Sequence, residues 1–73
     1  MTVNFVSPDR QRERTVYCVG REPAVGEHVT LHWEEREEGE ELGRMKGFRG
    51  EVEKVIWDYG EKTNEQRCMI LLK

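Results

Sequence analysis

A chain of 73 residues with 37% charged and 36% apolar side chains makes one small domain, 1–73, of net charge −3. A chain of this length buries only about 60% of the surface its unfolded form exposes. A preorganised catalytic pocket is therefore not expected, and the chain reads as a non-enzymatic protein with no cofactor. Its longest apolar run is too short to span a bilayer, and its mixed charge offers no uniform basic face to non-specific duplex DNA.

Val3 and Phe5 alternate with Thr2 and Asn4, which predicts a short first strand. Ser7-Pro8-Asp9 is turn chemistry, and the β-branched and aromatic run 15–19 predicts the return strand of an N-terminal hairpin with its tip near 7–13. Residues 23–26 break the pattern. Over 27–34 the alternation is clean: Val29, Leu31 and Trp33 face one way, and His28, Thr30 and His32 the other. Residues 34–41, EEREEGEE, hold six Glu against one Arg, and Gly39 and Gly43 oppose a helix there. This acidic segment reads as a solvated loop, with a second use as a carboxylate mimic of a nucleic-acid backbone.

The stretch Gly43-Arg44-Met45-Lys46-Gly47-Phe48-Arg49-Gly50-Glu51-Val52 frames basic residues with glycines and runs into an apolar alternation. It predicts a tight basic loop feeding a strongly bent strand. Val52 and Val55 are three apart, so both face inward only if Glu53-Lys54 forms a bulge or bend. Beyond the slip, Val55, Trp57 and Tyr59 share a face. Residues 60–65 read as a polar turn and 66–73 as the last strand. Its continuous apolar run predicts cover on both faces, or cover of one face by a partner. The fold class that follows is all-β: a small, five-stranded, strongly bent antiparallel barrel with an N-terminal hairpin and an acidic loop.

Several residues are candidates for chemistry. Arg44, Lys46 and Arg49 could contact phosphate through forked donors and exposed glycine N–H groups. Trp33, Trp57 and Tyr59 could form a stacking platform for bases or a nucleotide, although their parity also suits core packing, with Tyr59 at the rim. Cys18 and Cys68 read as free thiols of a cytoplasmic protein, a disulfide requiring the second and last strands to be neighbours. His28 and His32 share a face, but no close cysteine pair accompanies them, and no metal is expected.

Pro23-Ala24-Val25-Gly26-Glu27-His28-Val29 resembles the opening of KOW-type and Src-homology-like small barrels. Gly43, Met45, Lys46, Gly47, Gly50 and Val52 are similar to the KOW loop and its Gly-x-Val exit. The resemblance covers roughly 23–73. It implies a binding module that contacts a protein complex or structured RNA, with Arg44, Lys46 and Arg49 as the contact residues. The acidic insertion and the overall acidity depart from that family. More loosely, the opening motif in so short a chain resembles bacteriophage-encoded small barrels. That likeness implies an inhibitor of a host defence system, capturing a host protein or sequestering a nucleotide as a homo-oligomer.

Overall fold

Five runs of alternating sequence become five strands in the computed structural model, which describes residues 1–18, 20–60 and 66–73. They are β1 (Thr2–Val6), β2 (Glu13–Tyr17), β3 (His28–Glu35), β4 (Arg44–Tyr59) and β5 (Gln66–Leu72). The strands form one sheet in the order β2-β1-β5-β4-β3, strongly curled into a half-barrel, with no helix among the described residues. The N-terminal hairpin is β1–β2, with Val3 opposite Val16 and Phe5 opposite Arg14. Of the expected polar turn at 60–65, residues 61–65 lie outside the described residues, as does Val19.

One pairing departs from the antiparallel expectation. β1 and β5 run parallel, with Val3 opposite Cys68 and Phe5 opposite Ile70. No tight turn joins these two strands, so nothing local dictates their relative direction. Burial decides it instead, because this register stacks Val3, Phe5, Cys68 and Ile70 on one face. The arrangement also separates β2 from β5 by β1, and Cys18 and Cys68 are free.

β4 is the organising element. Its first half pairs with β3, from Arg44 opposite Glu35 to Glu51 opposite His28. Its second half pairs with β5, from Val52 opposite Leu72 to Tyr59 opposite Gln66, with a register shift between Val52 and Lys54. This is the expected phase slip: the extra residue returns Val55 and Trp57 to the core side and bends the strand. Both sides of the bend are pinned by backbone bonds. Val52 N–H donates to Glu27 O (2.8 Å) and Glu51 N–H to Lys73 O (3.0 Å).

The expected basic loop is not a loop, since residues 44–50 already belong to β4. Their glycines serve close approach. A Cβ on Gly47 would meet the Leu31 carbonyl oxygen across the β3–β4 pair, and one on Gly50 would lie 2.9 Å from the Leu72 Cβ and 3.0 Å from Pro8 Cγ. Sequence reasoning located the glycines correctly and assigned them turn geometry that the strand does not need.

The core is Val3, Phe5, Phe48, Val52, Cys68, Ile70 and Leu72, drawn from β1, β4 and β5. Edge strands β2 and β3 add only half-buried Val16, Val29, Leu31 and Trp33. Along β5 the outer residues Met69 and Leu71 remain partly exposed, so one face of the apolar run is covered and the other is open. The radius of gyration is 14.1 Å, against about 11 Å for a compact chain of this length. The β3–β4 hairpin carries the excess, because residues 44–50 have no strand partner among the described residues on the side away from β3.

The hairpin tip is tied by a polar knot. Ser7, fully buried, donates its hydroxyl to Asp9 Oδ1 (2.5 Å) and accepts from Arg12 N–H (3.0 Å). Arg10, at φ 63°, reaches back to donate to Leu72 O (2.6 Å) and to Glu53 Oε2 (2.8 Å) at the bulge. The Ser7 hydroxyl and then the Gln11 N–H hold the Asp9 carboxyl below its ordinary value of 3.8. A depressed folded pKa contributes stability that is present above the ordinary value and lost as pH falls through the lower one. Urea midpoints followed downward from about pH 5 are therefore expected to fall less in Asp9→Asn than in the wild type. Parallel pH curves would remove this role for Asp9.

Candidate anion-binding seam

Ion pairing sorts the cations of this chain into two groups. Arg10 pairs with Glu53 (2.8 Å), Arg21 with Glu27 (2.8 Å) and Arg36 with Glu34 (3.3 Å), all partly or well exposed. Such pairs each contribute little to stability, but they neutralise these three arginines. The Glu27 carboxyl sits below its ordinary value chiefly through the Arg21 hydrogen bond. Arg12, Arg14, Lys46, Arg49 and Lys54 have no carboxylate partner among the described residues, and Arg12, Arg14 and Lys46 form a second group among them.

That second group gathers where β2 faces the β3–β4 hairpin. Arg12 and Arg14 are two apart on β2 and its approach, so they share the face that carries Val16. Arg14 Cζ lies 4.7 Å from the centre of the Trp33 ring, and Arg12 Cζ lies 5.4 Å from that of Phe48. The two rings meet edge to face, with centroids 5.9 Å apart at 80°. Arg12 Nη1 also donates to Gly47 O (3.0 Å), filling an acceptor on the unpaired side of β4. The half-barrel is thus closed at this seam by guanidinium–aromatic stacking instead of a strand ladder.

The strand alternation then separates the three basic residues singled out in sequence. Lys46 stands opposite Trp33, and Arg44 opposite Glu35, on the side of Phe48. Arg44 also lies 3.9 Å from Glu40. Arg49 stands opposite Thr30 on the other face of the hairpin. Lys46 therefore joins the seam, Arg44 stands at its acidic end and Arg49 is excluded. The tryptophans do not form one platform with Tyr59. Trp33 is engaged by Arg14 and Phe48, Trp57 packs half-buried against the core, and Tyr59 is 70% exposed at the end of β4.

Arg12 and Arg14 were missed because they precede the region of family resemblance. Their signal was the period-two spacing of Arg12, Arg14 and Val16, which puts the two arginines on the apolar side of β2 and its approach. Chemically, the seam is a preorganised donor set. Arg14 is held over an indole, and its guanidinium donors have no acceptor among the described residues. A stacked guanidinium keeps its fork geometry at little further entropy cost, which suits phosphate or carboxylate oxygens.

The other chemistries raised by the sequence are dispersed. His28 and His32 are exposed on β3, while Cys68 is buried in the core and Cys18 packs half-buried against it. Burial pushes the Cys68 thiol up, away from the reactive thiolate. A hollow of about 800 Å³ on the outer side of the sheet has Ile56 and Met69 among its lining, with Asn4, Thr15, Asp58 and Arg67 beside them. Its charges are of both signs. No helix of the described residues is long and apolar enough to cross a membrane. No protein-family model, curated protein or solved structure matches the chain.

Proposed function

We propose that this chain is a cytoplasmic, non-enzymatic binding module that grips the phosphate backbone of structured RNA along the seam. The observation that carries this reading is Arg14, stacked on Trp33 and lacking an acceptor among the described residues, with Lys46 beside the same ring. Trp33 presents one face to Arg14 and meets the Phe48 ring, so base stacking there is not on offer. Recognition then runs through backbone position and shape rather than sequence, as is usual for folded RNA.

Fluorescence anisotropy with a short RNA hairpin tests it. Lys46→Glu, alone and combined with Arg14→Glu, is expected to weaken binding at low salt by about tenfold for each charge reversed. The salt slope should flatten by roughly 0.7 to 0.9 for each phosphate no longer neutralised. Arg49→Glu, on the opposite face, should change binding by far less. Equal reductions at Arg49 and Lys46, or no RNA binding at low salt, would overturn the assignment.

A further inference from the structure

The seam has a charge-complementary partner within this same sequence. The β3–β4 connection, residues 36–43, carries Glu37, Glu38, Glu40 and Glu41, and beside them Leu42, 82% exposed. Glu40 lies near Arg44, whereas Glu37, Glu38 and Glu41 have no cationic partner among the described residues. The connection sits at the far end of the hairpin that elongates the molecule. It is thus an acidic arm with a single apolar anchor, projecting away from the core.

The core itself asks for more burial. Among the described residues only eight apolar side chains are buried, both cysteines are free, and no cluster of potential metal ligands exists. A domain of this size without such staples commonly gains stability by self-association. Edge strands with half-buried apolar faces are where a second chain adds cover.

We infer that the acidic arm of a second copy occupies the Arg12–Arg14–Lys46 seam, and that the exchange is reciprocal. The arm springs from β3, the strand that carries Trp33, so arm and seam are neighbours on each molecule. Two copies related by a two-fold axis therefore make both contacts at once, the self-complementary geometry of a closed dimer. Carboxylates of Glu37, Glu38 and Glu41 stand where phosphates would, with Leu42 covering the half-buried edge. This inference rests on the seam's taste for anions, and it adds a regulatory consequence: the dimer and RNA compete for one surface.

Sedimentation velocity tests it. The wild type is expected to be a dimer at about 100 μM in low salt and to dissociate as salt approaches about 0.5 M. Glu37→Lys/Glu38→Lys/Glu41→Lys, which changes only exposed arm residues, should be monomeric. Arg14→Glu/Lys46→Glu should also be monomeric, and mixing the two variants should restore a one-to-one dimer through swapped charges. A wild type that stays monomeric, a dimer that survives arm reversal, or variants that fail to associate on mixing would each overturn the inference. Should Arg14→Glu unfold the seam, Lys46→Glu alone replaces it in the mixing arm. RNA titration separates the two ideas. The arm-reversed monomer should bind RNA more tightly than the wild type. Intact self-association with no RNA binding would retain the dimer and remove the RNA reading.

Discussion

Ile70→Ala is expected to leave the chain largely unfolded at room temperature. Ile70 is fully buried on β5, between Phe5 of β1 and Val55 of β4, so the side chain sits where both halves of the sheet meet. Truncating a buried isoleucine costs about 2 to 5 kcal/mol, rising with the cavity left behind. A chain of this size holds only about 4 to 11 kcal/mol in total, and a core this small points to the lower end. Circular dichroism and urea titration read the outcome directly. Ile56→Ala is the natural contrast, since Ile56 lies on the outer face at 38% exposure and should cost under about 1 kcal/mol. Similar destabilisation at both positions would mean that the inner face is not the main core.

Gly47→Val should part β3 from β4. The position has no room for a Cβ because the Leu31 carbonyl oxygen approaches from the neighbouring strand, and that atom is backbone. Relief requires the strands to shift, at about 1 to 3 kcal/mol for the overpacking. The shift also moves Gly47 O away from Arg12 and Trp33 away from Arg14, so anion affinity should fall together with stability. Gly43→Ala is the matched control: its nearest neighbour is the flexible, exposed Glu34 side chain, which can swing aside. NMR nuclear Overhauser contacts between His32 and Gly47, with denaturation midpoints, distinguish the two. A Gly47→Val protein that keeps those contacts and its midpoint would show that the close approach is not obligatory.

β1, β3 and the second half of β4 were legible from alternation, β2 and β5 from composition, and the bend in β4 from one spacing, Val52 to Val55, because a half-buried sheet imposes period two and any slip must be absorbed locally; the first half of β4 was read as a loop. What alternation could not supply was partnership. Nothing near Val3 or Cys68 announces that they sit side by side, because a parallel contact between distant segments leaves no turn signature. The seam was hidden for the same reason: the stacking of Arg14 on Trp33 joins strands at opposite edges of the sheet order. The glycines were legible as a constraint but ambiguous in kind, since close approach and tight turning draw on the same residue.

The parallel pairing of β1 with β5 also sets a timetable. Val3 waits for Cys68, a separation of 68 − 3 = 65 residues, before the centre of the sheet can exist. The hairpins β1–β2, β3–β4 and β4–β5 are all local, and before β5 is made only the first two can form. Contacts of such long range slow folding, because the entropy of closing the chain precedes any gain from the closure. On the ribosome this protein is thus two loose hairpins until β5 emerges, and only then does it become a folded molecule.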